Sequence, residues 1–145
     1  VYEDKLIIEE SSIEHENYGC LVFCVRNIES VTVPNFIEHI CSFAFEECFD
    51  LKTIEIPNDS KLKTIGDFAF NNASIGRVVI PLQVEQIGEG AFHSCYQLQR
   101  IEIPTDSKLK IINKRTFVRT SIESIFIPSQ ITAIKEDAFS CCKKH

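Results

Sequence analysis

The sequence lacks several features that define whole classes of protein. It contains no methionine and no tryptophan, and only five glycines in 145 residues, which excludes a glycine-rich phosphate-binding loop. It also has no apolar run of about 18 residues, the shortest that is typical of a transmembrane helix. Residues 1–10 show no signal-peptide pattern. Because position 1 is not methionine, we expect the chain to be an excerpt or a processed product.

Basic residues are also few. Fifteen Lys and Arg stand against 21 Asp and Glu, which gives a net charge of −6. Nucleic acids and anionic membranes bind to basic surfaces, so we expect neither as a partner, and no direct membrane insertion. The apolar fraction of 44% is sufficient for a core, and this length is typical of one domain.

The prolines show that the chain is repetitive. Five prolines are separated by 23, 24, 23 and 24 residues, and each follows an alternating pair of apolar residues. Five phenylalanines share the period, each five residues after an isoleucine. The prolines are Pro34, Pro57, Pro81, Pro104 and Pro128; the phenylalanines, here called the column phenylalanines, are Phe45, Phe70, Phe92, Phe117 and Phe139. Every second unit inserts a polar corner, at residues 58–61 and 105–108, so a double unit of 47 residues repeats as well.

A period of this length with a regular aliphatic grid predicts a leucine-rich-repeat solenoid. Each coil should contain a strand such as residues 51–56, in which apolar residues alternate and which a proline ends. Residues 65–70 and their equivalents predict a turn, with glycine in it, and then a single helical turn. We therefore expect an α/β repeat solenoid with one parallel β-sheet and short helical turns on the opposite side.

The whole chain, residues 1–145, is predicted to be one array. Residues 1–33 should form degenerate N-terminal coils, with a strand at residues 6–8 and with Phe23 on the same grid as the column phenylalanines. Residues 34–145 should form the regular repeats. The column phenylalanines should stack inside the coils as one aromatic column. Terminal coils of a solenoid need polar caps, and the sequence ends without one, so we expect a fragment of a longer array.

Three cysteines share one repeat position, three residues after a column phenylalanine: Cys48, Cys95 and Cys142. They stand two coils apart, which is about 9–10 Å at the usual strand spacing, too far for disulfides. Ala73 and Thr120 occupy the same position in the other coils. We therefore expect small buried residues there, with the three thiols reduced.

The remaining cysteines have less certain roles. Because seven is odd, internal disulfides cannot pair all of them. Cys20 and Cys41 fall one coil apart, which leaves a disulfide between them open, and the state of Cys24 is open too. Cys141, with Cys142 and His145, offers three metal ligands where a zinc site needs four. We expect no metal and no cofactor.

The repeat unit resembles that of the BspA-like leucine-rich-repeat family, found among surface antigens of bacteria and single-celled parasites. The unit is Ile-Gly-x-x-Ala-Phe-x-x-Cys-x-x-Leu-x-x-Ile-x-Ile-Pro, and residues 87–104 match it at every position. The glycine is replaced at Cys41, Asn113 and Lys135. The resemblance implies a cell-surface or extracellular module that recognises proteins, such as host-surface or matrix proteins, and it implies no catalytic residues.

The solvent side of the predicted sheet is the candidate binding face. Side chains two and four residues before each proline should form two adjacent columns there. Apolar, aromatic and arginine side chains are typical interface anchors, and this face carries all three; the alternative is an ordinary solvated face with cross-strand charge pairs. The residues predicted to contact a ligand, here called the strip, are Thr53, Glu55, Arg77, Val79, Arg100, Glu102, Ser124 and Phe126.

Two other functions are weighed against adhesion. An intracellular, cytoplasmic scaffold or spacer without an outside ligand is the main alternative, and buried free cysteines favour a reducing compartment. An enzyme is not expected, because no serine, histidine and acidic residue recur together on one face. N-glycosylation sequons at Asn58 and Asn72 agree with a secreted protein, but such triplets arise often by chance.

Overall fold

The computed structural model describes residues 5–10 and 19–142, and this part of the chain contains β-strands and no helix. Most strands are only two or three residues long, because each coil crosses a sheet briefly before it turns. In chain order they are β1 Leu6–Glu10, β2 Gly19–Cys24, β3 Ser30–Thr32, β4 Ile37–Ile40, β5 Thr53–Glu55, β6 Thr64–Ile65, β7 Arg77–Val79, β8 Gln86–Ile87, β9 Arg100–Glu102, β10 Ile111–Ile112 and β11 Ala133–Ile134.

The leucine-rich-repeat solenoid is confirmed, but its principal sheet contains the isoleucines that were predicted to begin a turn. This main sheet has the order β1-β2-β4-β6-β8, with β1 antiparallel to β2 and the other pairs parallel. Ile65, for example, pairs with Ile40 on one side and Ile87 on the other. The strands β10 and β11 form a separate parallel pair at the equivalent position.

The strands that precede the prolines form a second, interrupted layer. There β3 pairs with β5 and β7 with β9, both parallel, and no ladder joins β5 to β7 in the part that the structure describes. Paired strands are 23 residues apart, as Ser30 and Thr53 are, whereas β5 and β7 are 24 apart. The polar corner adds two residues between the proline and the column phenylalanine, and the segment from that phenylalanine to the next proline is one residue shorter. The 47-residue double unit therefore divides this layer into pairs.

The predicted helical turns are wrong. Around column residue Phe70, both Phe68 (φ 51°) and Asn72 (φ 57°) adopt the left-handed conformation, which an α-helix excludes. Backbone N–H groups also alternate between two partners. The Ala69 N–H donates to Gly66 O within the coil at 3.3 Å, and the Phe70 N–H donates to Ala91 O of the next coil at 2.8 Å. The turn therefore takes part in cross-coil hydrogen bonding, which a helix would prevent because it uses these groups internally.

The predicted aromatic column is confirmed. Successive column phenylalanines stack with ring centroids 4.7, 5.1, 5.5 and 5.2 Å apart. The first four rings are fully buried, and Phe139 in the last coil is half-buried. Each ring thus contributes apolar burial to two coils, which explains why a single coil would not be stable alone.

The column begins at Cys24. Its backbone N–H donates to Ala44 O at 2.9 Å, as the Phe45 N–H donates to Ala69 O one coil later. Its neighbour Phe23, which matched the grid by residue type, instead stacks under the guanidinium of Arg26 at 4.9 Å. The predicted N-terminal strand is present as β1, which pairs with β2.

Candidate binding surface

The strip residues lie together on the outer side of the interrupted layer. In register, Arg77 stands beside Arg100 and Val79 beside Glu102. Thr53 and Glu55 continue the two columns on β5, and Ser124 and Phe126 follow on a segment without strand hydrogen bonds. All eight side chains are exposed except Glu102, which is half-buried. The sequence pattern therefore located the outward positions correctly, although it assigned the main sheet to the wrong side.

A charge cluster occupies the centre of the strip. The Glu102 carboxylate accepts from Arg77 Nη2 at 2.7 Å, and its Oε1 lies 3.2 Å from Arg100 Nε. The Arg77–Glu102 contact is one of the cross-strand charge pairs that were expected of an ordinary solvated face. Because both guanidinium groups are largely exposed, the pairs add little to stability. Val79 stands beside Glu102 in the ladder, so the two arginines and the valine share one face.

Two apolar side chains flank this cluster. Phe126 is 69% exposed and Val79 is 41% exposed. Burying a fully exposed phenylalanine side chain is favourable by about 1.5–3 kcal/mol. Phe126, the more exposed of the two, would therefore contribute the larger apolar free energy if a partner covered it. The strip consequently combines an aromatic anchor, an aliphatic anchor and paired arginines.

Clefts open where the interrupted layer lacks a ladder, a feature that the sequence analysis missed. One, of about 380 Å³, lies between β5 and β7 and is lined by Ile54, Ile56 and Val79. Another, of about 640 Å³, lies between β9 and residues 121–126 and is lined by Arg100 and Phe126, among others. Core isoleucines are partly exposed in both. The sequence does indicate where these clefts lie, because equivalent residues on the two sides of each break are 24 residues apart, whereas those of paired strands are 23 apart.

A second surface carries stacked aromatic residues on the turn side of the coils. Phe43, half exposed, stacks on Phe68 with centroids 5.8 Å apart, and Phe68 meets the ring of His93 edge-on at 6.0 Å. Burial, followed by the positive charges of Arg119 and Arg115, lowers the pKa of His93. The sequence signal was present, because both phenylalanines stand two residues before a column phenylalanine, but it was not used.

His93 contacts two polar side chains through one ring nitrogen. Its Nδ1 lies 3.0 Å from Ser94 Oγ and 3.2 Å from Asn71 Oδ1. A nucleophile, base and orienting group need the two different ring nitrogens, whereas both contacts here involve the same one. The other described histidine, His39, has its Nδ1 2.8 Å from Thr64 Oγ1. These contacts are those of structural side chains on the coil surface.

The shared cysteine position is buried, as expected, at Cys48 and Cys95, but Cys142 is half-buried in the last coil. Burial raises the pKa of Cys95 to about 12, and its Sγ donates to Phe70 O at 3.0 Å. Thr120, at the same repeat position, instead donates its hydroxyl to the column phenylalanine of its own coil, Phe117 O, at 3.0 Å.

Cys20 and Cys41 form a disulfide between the first two coils, with Cα atoms 6.5 Å apart, which resolves the alternative left open by the sequence. Of the metal set considered above, Cys141 is exposed, and His145 lies outside the described residues. No cluster of potential metal ligands occurs within residues 5–10 and 19–142. The same residues include no helix that could cross a membrane.

Comparison with known proteins identifies the repeat. Residues 17–145 match the BspA type leucine rich repeat region in six copies. The structure of the pneumococcal vaccine antigen PcpA is similar, with a TM-score of 0.79 and 19% identity over 97% of this chain and 47% of that one. A leucine rich cell surface protein of Faecalibacterium prausnitzii has a TM-score of 0.57 and 20% identity over 98% of this chain and 52% of its own.

The chain thus spans about half the length of these solved relatives. No curated protein matches it. At such identities the solved structures establish the fold, while the repeat match extends over most of the sequence. The protein therefore belongs to the BspA-type leucine-rich-repeat family.

Proposed function

We propose that this array is a protein-binding module of adhesion type, exposed at a cell surface, and that its ligand binds to the strip. The family supports this assignment, as does the presence of the same fold in a vaccine antigen and in a cell surface protein. The proposed partner class is a host-surface or matrix protein. We propose no catalytic activity for the array.

The observation that carries the proposal is the exposure of Phe126 and Val79 beside the Arg77–Glu102–Arg100 cluster. Aromatic and arginine residues contribute a large share of binding energy in protein interfaces when a partner desolvates them. Phe126 borders a cleft in which Ile125 is also partly exposed. A partner side chain in that cleft would cover apolar surface that water now contacts.

An intracellular scaffold remains the second candidate because one observation favours it. Five described cysteines are free, three of them fully buried, which suits a reducing compartment. The Cys20–Cys41 disulfide favours an oxidising one. Localisation of the intact protein in its own cell separates the two: surface labelling supports adhesion, and an exclusively cytoplasmic signal contradicts it.

The binding site is tested with a double variant, Val79→Asp and Phe126→Asp, screened against a panel of matrix and host-surface proteins. Both side chains point outward, so the variant should melt like the wild type. Binding to a ligand found with the wild type should weaken by more than about 2 kcal/mol, roughly 30-fold in Kd.

A matched control removes two apolar side chains of similar exposure elsewhere. Phe49 is 62% exposed and Leu82 is 41% exposed, and neither belongs to the strip. Phe49→Asp with Leu82→Asp should leave binding unchanged. Equal loss in both double variants, or wild-type affinity in the strip variant, would show that the ligand binds elsewhere.

A further inference from the structure

The repeat places the side chain of one position against the column residue of the preceding coil. Cys95 Sγ lies 3.0 Å from Phe70 O, and Cys142 Sγ lies 3.3 Å from Phe117 O. The first member of this series is Cys48. In its case the preceding column residue is Cys24, so the repeat geometry brings two thiols together at the N-terminal end of the column.

The two thiols are in direct contact inside the core. Both side chains are fully buried in the same core cluster, where a side-chain hydrogen bond links the two thiols and Cys24 Sγ also lies 3.5 Å from Val25 O. The hydrogen bond to Cys48, with burial, raises the pKa of Cys24, whereas the same bond lowers the pKa of Cys48. Opposite shifts of this kind agree with a direct contact between the two thiols.

A disulfide already joins the same two coils. Cys20 lies four residues before Cys24, and Cys41 lies seven residues before Cys48. Four cysteines allow three pairings. The pairing of Cys20 with Cys41 leaves Cys24 and Cys48 as the remaining pair, and the core geometry already holds them together.

We propose that Cys24 and Cys48 form a second cross-coil disulfide when the chain folds in the presence of a small-molecule disulfide such as oxidised glutathione. The thiolate of one cysteine attacks this disulfide, forms a mixed disulfide and releases one glutathione thiolate. The other cysteine, after losing its proton, attacks the cysteine sulfur of the mixed disulfide and releases the second glutathione thiolate. Two cysteine thiols are oxidised and one small disulfide is reduced to two thiols.

Burial determines when this reaction takes place. In the folded array neither sulfur is accessible to glutathione, so oxidation precedes or accompanies closure of the first coils. Once formed, the bond is shielded by the same packing. The N-terminal part of the solenoid would then be closed by two covalent links, where stacking on further coils is replaced by the antiparallel strand β1.

The test is a count of free thiols after oxidative refolding. The reduced, unfolded chain, with Cys141→Ser and Cys142→Ser to remove the C-terminal thiols, is refolded in a glutathione redox buffer. It is then denatured and alkylated. One alkyl group, on Cys95, is expected per chain, and before alkylation the mass should be lower by four hydrogens than that of the fully reduced chain.

Two further substitutions, each added to the chain with Cys141→Ser and Cys142→Ser, identify which cysteines form the second disulfide. Adding Cys24→Ser should raise the count to two, because Cys48 loses its partner, whereas adding Cys95→Ser should lower it to zero. Peptide mapping of the unaltered sequence should recover Cys24 linked to Cys48. Three free thiols in a folded chain that retains Cys20–Cys41, or a map that links Cys24 to another cysteine, would overturn the proposal.

Discussion

The ring of Phe92 stacks on that of Phe70 with centroids 5.1 Å apart and planes only 2° from parallel. The same ring stacks on Phe117 on its other side at 5.5 Å. Contact on both faces is what distinguishes an internal coil from a terminal one. The column therefore predicts how stability should vary along the array.

Phe92→Ala should lower the free energy of unfolding by about 3–5 kcal/mol, as is usual for a buried phenylalanine. Phe139→Ala should cost clearly less, because that ring is half-buried and stacks on Phe117 alone among the described residues. Chemical denaturation of both variants measures the difference. Equal losses would contradict the additive, coil-by-coil stacking expected of a solenoid.

Cysteine accessibility gives a second measurement. In the reduced, native protein Cys95 should react with a thiol reagent far more slowly than Cys141, because Cys95 is buried with a raised pKa, about 12, and Cys141 is exposed. Mass spectrometry of labelled peptides resolves the two sites. In denaturant their rates should converge. Rapid native labelling of Cys95 would show that its repeat position is not in the core.

The column was predictable from the sequence because it is strictly periodic, and the outward direction of the strip followed from simple alternation. Alternation did not predict which side of each coil carries the main sheet. Strand β6 has two residues, too few to show alternation, whereas the residues before Pro57 show it clearly. The ladder of β6 is instead set by its neighbours in adjacent coils.

The predictions for the turns and for the start of the column were wrong for related reasons. Residues 65–70 have a helix-like composition, but cross-coil hydrogen bonds impose a left-handed conformation at Phe68. Cys24 was missed because 21 residues separate it from Phe45, against 22 or 25 between later column residues. Residue type favoured Phe23, and only the hydrogen-bond register shows which neighbour points inward.

His93 should make the array sensitive to mild acid. Because its pKa is lowered on folding, the unfolded chain takes up the proton first as the pH falls through about 6.5, the ordinary value. The contribution of His93 to stability is therefore full above that pH and declines below it. Comparing the pH dependence of unfolding for the wild type and His93→Asn isolates this contribution.

The cause of the His93 shift can be checked separately by NMR titration. Arg119→Gln removes the larger of the two charge contributions and should raise the pKa of His93 toward its ordinary value. An unchanged His93 titration in this variant would mean that the positive charge of Arg119 does not reach the ring.

Close packing of successive turns predicts that alanine substitution has opposite effects on stability at two glycines. A Cβ on Gly88 would overlap the backbone of Gly66 and Asp67 in the preceding coil, whereas a Cβ on Gly76 would meet Gln97 O at 3.8 Å, an ordinary contact. Neither glycine has a positive φ, so Gly88 is required for the space that it leaves and not for a left-handed turn.

Gly88→Ala should therefore destabilise the array by about 1–3 kcal/mol, the usual cost of overpacking. Gly76→Ala should be neutral or stabilise it by up to about 1 kcal/mol, because alanine restricts the unfolded chain. Each variant adds one methyl group to the chain. The difference between their denaturation midpoints therefore measures the effect of the contact between coils at Gly88. Equal midpoints would show that the coils can separate at Gly88 without cost, which contradicts the close contact between them.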